Sequence, residues 1–404
     1  MFWKNVTSVL TGTVIAQAIP IIGSIAIARL YSIEDFGLYS AWLGIALILS
    51  IIFTGRFELS IAVVDKGKKR ALALWATLYC TLAFGLFACI LLFVLLKLDI
   101  LGVNIFSMKM LILLIPTAIV MALSQAIQSL MAANGDYKSL SIFRVTQAVF
   151  YVVPQVLVGL WYNFSLFLML AHFFGIMFSV LISLFFVKEF KYPGITKAKL
   201  IYFYKRYNKF PIYSLPGGTM NSISAQLPVI VVTAKFGAEL GGGLALTMRT
   251  LGAPIGIIGK SVLDVFKKYA GDEYRQHGSC ANIYLNTLFY LSFFASLFAI
   301  FLFFFSKTLF TTLFGEQWLK SGEIAIVLIP LFALRFVASP LSYLIYIVEK
   351  QHVAIIWQTA LLLMTLGIFY STLPFELMIM FYSVGYSILY LVYIKITYDM
   401  SQPK

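Results

Sequence analysis

Apolar runs about twenty residues long recur from one end of this chain to the other, and that recurrence constrains the fold before any motif is read. A helix needs roughly 20 mostly apolar residues to cross the hydrocarbon of a bilayer. Twelve runs qualify: 6–28, 36–64, 71–96, 108–133, 142–161, 164–187, 211–234, 241–266, 283–306, 323–348, 353–372 and 375–397. Backbone groups in lipid must be satisfied inside their own segment, so the runs are read as helices and the fold as all-α, polytopic, with about twelve spans. Of the 404 residues 61% are hydrophobic and 11% charged; a soluble domain carries about 25% charged residues, so a water-soluble fold is excluded. The first run is too long for a signal peptide and lacks a convincing cleavage site, so it is expected to stay as the first span.

The net charge of +14 is distributed by side. With a cytoplasmic amino terminus, twenty Lys and Arg residues fall in inner segments and six in outer ones. That asymmetry places both termini in the cytoplasm and fits an even number of spans. No basic stretch is long enough for a nucleic-acid-binding domain. The longest polar connection, 188–209, interleaves seven basic residues with Leu200, Ile201, Tyr202, Phe203 and Tyr204. It is predicted to be an amphipathic helix on the cytoplasmic surface, in contact with anionic membrane lipids. It divides the chain into two six-helix lobes, 1–187 and 210–404.

The two lobes resemble each other weakly. IGSIAIARLYSIEDFGLYS from Ile22 parallels LPVIVVTAKFGAELGGGLALT from Leu227: a basic residue, Arg29 or Lys235, closes an apolar run, and Glu34 or Glu239 follows, then Gly37 or Gly242. A second basic residue sits deep in the next run, Arg56 or Lys260. Internal repeats of this kind are common in transporters, with substrate sites at the repeat interface.

Charges inside apolar runs are expensive and normally face a partner or a watery cavity. Arg335 lies mid-run between Pro330 and Pro340. It either lines a cavity or bonds the carbonyls that the prolines free. Arg249 and Lys260 are eleven residues apart, almost three whole turns, and share a helix face. Asp264, four residues past Lys260, can pair with it or snorkel with it to the interface. Arg56 and Glu58 are two apart and diverge on a regular helix unless Gly55 loosens it. Arg56 is then the cavity residue, while Glu58 faces elsewhere or serves as a proton or cation carrier. Arg29 and Arg144 stand at run ends, where snorkelling also accounts for them. Glutamines at 17, 125, 128, 147, 155, 226 and 358 are read chiefly as helix bridges, and His172 as a packing residue.

Cys80, Cys89 and Cys280 form neither a disulfide framework nor a metal site. There is no P-loop, zinc spacing or catalytic triad. A cofactor-free, non-enzymatic membrane protein is expected. Within the spans four cations (Arg56, Arg249, Lys260, Arg335) stand against two anions (Glu58, Asp264), so the expected substrate is anionic, and a phosphate or pyrophosphate matches the arginine fork.

The stretch LTGTVIAQAIPIIGSIAIARLYSIEDFGLYSAWLGIALILSIIFTGRFELSIAVVDK is similar to the amino-terminal region of bacterial O-antigen and capsule polysaccharide flippases, through Pro20, Arg29, Glu34, Phe36, Gly37, Arg56 and Glu58. FPIYSLPGGTMNSISAQLPVIVVTAKFGAELGGGLALTMRTLGAPIGIIGKSVLDVF resembles them through Pro211, Pro216, Asn221, Pro228, Gly237, Gly242, Arg249, Pro254 and Gly259. These flippases belong to the multidrug/oligosaccharidyl-lipid/polysaccharide exporter superfamily. The resemblance implies a MATE-like two-lobe fold and alternating access. It further implies transport of undecaprenyl-pyrophosphate-linked oligosaccharide from the cytoplasmic to the periplasmic leaflet of the inner membrane, coupled to a proton or sodium gradient. It carries phosphate contact over to Arg29, Arg56 and Arg249; Arg335 and Lys260 join them on charge alone, with Glu58 and Asp264 as coupling-ion candidates. The lipid tail is expected to stay in the bilayer, and other polysaccharide assembly proteins are expected partners. A drug or cation antiporter of the same fold is the alternative; it should place a carboxylate in the middle of the first spans, and the first has none.

Overall fold

The computed structural model describes residues 2–97, 105–191 and 195–403, with side chains described for these except 2–13, 191, 260, 261 and 264. All regular structure among them is helical. In chain order the helices are α1 (Phe2–Leu30), α2 (Ile33–Thr54), α3 (Lys68–Lys97), α4 (Met108–Asn134), α5 (Tyr137–Gly159), α6 (Ser165–Phe186), α7 (Lys197–Arg206), α8 (Leu215–Phe236), α9 (Ala238–Pro254), α10 (Lys260–His277), α11 (Ala281–Phe314), α12 (Leu319–Leu341), α13 (Leu344–Ile347), α14 (Gln351–Phe369) and α15 (Phe375–Ser401). Nine described segments are long and apolar enough to cross a membrane, and α1 adds a shorter apolar stretch, Val14–Leu30. The protein is a multi-pass membrane protein. Its α11 has 34 residues and measures about 51 Å, longer than the ~30 Å hydrocarbon core. The chain falls into two compact units, Met1–Gln226 and Leu227–Lys404, and the division lies inside α8.

In the first unit α1 packs on α5, α5 on α6, and α4 against α2, α3 and α6. The polar link after α1 is a device for helix ends. Ser32 caps α2 by accepting from the Asp35 amide at 3.1 Å. Asp35 in turn accepts from the Ser165 amide at 2.7 Å, which satisfies an orphan donor at the start of α6. Tyr31 donates to the Gln155 carbonyl at 2.9 Å. Its ring needs Gly159, where a Cβ would lie 2.6 Å from the ring edge.

Glutamines bridge helices as expected: Gln125 bonds Ser50 at 2.9 Å, Gln147 bonds Ser124 at 2.9 Å, and Gln155 bonds the Leu168 carbonyl at 3.1 Å. His172 is a buried packing residue, with Nδ1 2.9 Å from the Tyr39 hydroxyl and its ring against Tyr151. Arg144 departs from the snorkelling expectation: it is half-buried, and its Nε donates to Gln128 at 3.0 Å.

The second unit is built on the α11–α12 hairpin, with α9 and α15 packed against α12. Thr247 donates to the Ser321 carbonyl at 2.9 Å. Gly322 lets the hairpin close, because a Cβ there would lie 2.8 Å from the Lys307 Cα. Lys235 at the end of α8 donates to the carbonyls of Phe369 and Ser371 at 2.8 and 3.0 Å. It thus serves the C-terminus of α14, where a cation is favoured.

Three expected spans contain a 3₁₀ or π turn, and a fourth, 323–348, leaves α12 at Leu341 and resumes as α13. The run at 36–64 is α-helical only to Thr54 and continues as a 3₁₀ turn, Phe57–Ala62. The run at 211–234 opens with a π-helical turn, Phe210–Ser214, where Pro211 stands. The run at 241–266 is broken by a second π-turn, Ile255–Gly259, directly after Pro254. Apolar composition continues through all three breaks, and hydropathy therefore reads across them.

Candidate functional site

The break after α2 brings two of the predicted site residues together. Gly55 and Arg56 both adopt left-handed backbone, φ 55° and 61°. For a non-glycine residue this costs roughly 1–2 kcal/mol. The reversal turns Arg56 back over the following 3₁₀ turn, and its Nη1 pairs with Glu58 Oε1 at 3.2 Å. Glu58 does not face elsewhere, as a regular helix requires: Gly55 loosens the chain, and the carboxylate is buried beneath the guanidinium. Arg56 Nε and Glu58 Oε2 are both buried without a hydrogen-bond partner among the described residues. The pair thus keeps one unused donor and one unused acceptor.

Two neighbours fix this pair. The guanidinium lies flat against Gly218 at the start of α8, where a Cβ would come within 2.4 Å of Arg56 Nη2. Below it, Phe57 packs on Tyr204 and Phe203 of α7, with ring centroids 5.1 and 6.0 Å apart. Phe203 is buried, and Tyr204 donates to the Ala76 carbonyl at 2.7 Å; burial pushes its phenol up to about 12, so it stays a neutral donor. The basic connector helix therefore docks one apolar face on the first unit. Ile201 and Tyr202 remain exposed beside Lys205 and Arg206, a face suited to lipid headgroups. Gly218 and Phe203 are missing from the sequence-derived candidates. The only signal for them is the Pro216–Gly217–Gly218 run and the aromatic spacing of 203, 204 and 207.

In the second unit Arg335 is half-buried on α12, and its Cζ lies 5.9 Å from the Phe332 ring centroid. α12 packs against α15, which carries Tyr382, Tyr386 and Tyr390. These tyrosines repeat every four residues and form a column of tilted rings in contact along one face. Among the described residues no carboxylate pairs with Arg335. Arg249 is half-buried on α9. Arg29 is exposed at the end of α1. Lys260 and Asp264 lie on α10, and their side chains are outside the described residues. Among the described residues no group of His, Cys, Asp and Glu could hold a metal ion.

The all-helical, multi-pass framework is MATE-like. Solved structures with this fold include the lipid II flippase MurJ in an inward closed conformation, with TM-score 0.72 and 13% identity over 96% of this chain and 87% of that one. An inward-facing multidrug resistance MATE family transporter of the MOP superfamily matches with TM-score 0.69 and 13% identity, covering 95% and 93%. The MATE multidrug transporter DinF-BH matches with TM-score 0.68 and 13% identity, covering 97% and 94%. At these identities the likeness shows the fold. The family is shown by sequence: a family model described as polysaccharide biosynthesis protein matches residues 26–323, and the chain belongs to that family. No curated protein matches the sequence.

Proposed function

We propose that the protein is a flippase that carries an undecaprenyl-pyrophosphate-linked oligosaccharide, an O-antigen or capsule repeat unit, across the bacterial inner membrane by alternating access. The observation that carries this reading is the family match over residues 26–323. Family membership ties the chain to polysaccharide assembly, and the fold shared with the lipid II flippase MurJ supplies a precedent for moving a lipid-linked glycan. The chemistry agrees. A pyrophosphate presents acceptor oxygens that bind arginine forks in pairs, and Arg56 has a buried donor to spare. In this reading Arg29, Arg56, Arg249, Arg335 and Lys260 contact the pyrophosphate. Glu58 releases Arg56 to the substrate when it is protonated or takes a sodium ion, and Asp264 is the second coupling-ion candidate. Both termini are cytoplasmic, and other polysaccharide assembly proteins supply and receive the substrate. The non-enzymatic character belongs to the same proposal.

A drug or cation antiporter is the second reading, because MATE multidrug transporters share the fold. Deleting the gene in its source bacterium and analysing lipid-linked intermediates separates the two. Accumulation of undecaprenyl-linked repeat units on the cytoplasmic side supports the flippase, and Arg249→Glu should reproduce it while the protein still inserts. Unchanged surface polysaccharide with lost drug resistance supports the antiporter.

A further inference from the structure

A cavity of about 780 Å³ lies wholly within the second unit, walled by the π-turn after Pro254, the start of α10, α11 and α12. Its lining is almost entirely apolar, with Leu251, Ile258, Phe294, Phe298, Phe332 and Phe336 prominent. Thr287 also touches it, but its hydroxyl is spent on the Ile283 carbonyl at 2.7 Å. The π-turn makes the space. Pro254 removes a backbone donor and the chain widens by one residue in the next turn. The glycines leave the room unfilled: a Cβ on Gly252 would meet nothing closer than Phe332 at 3.7 Å. Ile258 is 49% and Phe294 58% exposed, so the cavity opens at the surface of the unit. An apolar space of this size, within the range of ligand pockets, holds no water and forfeits dispersion contacts unless hydrocarbon fills it.

One cation marks what kind of hydrocarbon. The Arg335 guanidinium lies 5.9 Å from the ring of Phe332, which is itself part of the cavity wall. Arg335 is twelve residues from the nearer end of the apolar segment Glu316–Ile347, and the six to the end of α12 at Leu341 alone make about 9 Å along the helix axis. Bulk phospholipid headgroups stay at the interface and do not reach that depth. A phosphate that meets Arg335 must be drawn inward while its tail is held close by. The phenyl-rich wall also suits a branched, unsaturated chain, whose methyl groups and double bonds pack on ring faces.

We infer that this cavity seats the polyprenyl tail of the lipid-linked substrate, with Arg335 at its edge toward the phosphate end. The inference rests on the flippase reading and moves the tail from the open bilayer into the second unit. The test uses the full chain in nanodiscs of phosphatidylcholine, with a diazirine-tagged geranylgeranyl pyrophosphate as photoprobe. Adducts are expected on the peptides carrying Phe294–Phe298 and Phe332–Phe336. Undecaprenyl pyrophosphate should compete and a tenfold excess of phosphatidylglycerol should not. Ala295→Phe fills the cavity from its buried side, and Ile258→Trp fills it from an exposed position that tolerates bulk; labelling should fall at least tenfold in both. Equal competition by phosphatidylglycerol overturns the proposal, as does undiminished labelling in Ile258→Trp. Liposomes separate the two levels of the argument. If the wild type transports a pyrophosphate glycolipid and Ile258→Trp does so equally fast, the tail site is wrong and the flippase stands. If the wild type transports none, the flippase reading itself fails.

Discussion

Each unit interrupts the second helix of the repeated motif at a similar place, and the two interruptions differ in chemistry. In the first unit the break at Gly55–Arg56 follows Arg29 by 26 residues; in the second the π-turn begins 20 residues after Lys235. The first break is made by left-handed backbone and is filled with a charged pair, sealed by Gly218 and the connector aromatics. The second is made by proline and glycine and encloses an apolar space. The comparable break is thus lined by charge in one unit and by hydrocarbon in the other. The basic residues that open the two motifs are both exposed, and Lys235 closes the end of α14.

Substitutions at the two breaks should therefore differ in sign and size. The largest effect is expected for Arg56→Ala, which leaves Glu58 buried and uncompensated. A loss of about 3–5 kcal/mol should appear in thermal unfolding in detergent, with much of it recovered in the Arg56→Ala/Glu58→Ala double variant; no recovery would mean the pair is not what the break is built around. Next comes Phe203→Ala, which removes the buried ring under Phe57. It should cost about 3 kcal/mol and make the α7 connector markedly more sensitive to protease. Gly55→Ala forces a side chain into left-handed backbone against Cys80 Sγ at 3.1 Å, for about 1–2 kcal/mol. The smallest effect, with the opposite sign, belongs to Pro254→Ala. Restoring a backbone donor beside the π-turn should stabilise the protein by about 1 kcal/mol or less while lowering photoprobe capture. A destabilised Pro254→Ala protein would show that both breaks are held by packing alone.

The all-helical fold and most span positions were legible because lipid leaves a chain few ways to satisfy its backbone. The breaks were not. Phe57–Ala62 is apolar apart from Glu58 and Ser60, and Ile255–Gly259 is wholly Ile and Gly, so an apolar run reads through both. Gly55 and Pro254 were the readable hints: a two-residue spacing lets Arg56 and Glu58 meet only off a regular helix, and Pro254 interrupts the face shared by Arg249 and Lys260. The surroundings of Arg335 were out of reach, because α15, which packs against its helix α12, lies some forty residues or more further on. Arg144 looked like an interfacial anchor because it stands near a helix start; its bond to Gln128 depends on how α4 packs beside α5.

The central claim, that this chain moves a pyrophosphate-linked glycolipid, is tested most directly in proteoliposomes. A fluorescent polyprenyl-pyrophosphate oligosaccharide is incorporated, and its loss from one leaflet is followed by a membrane-impermeant quencher. The account predicts translocation well above protein-free liposomes for the wild type, and none for Arg56→Glu or Arg249→Glu inserted at the same density. A wild-type rate equal to that of empty liposomes, alongside efflux of a cationic dye, would contradict it.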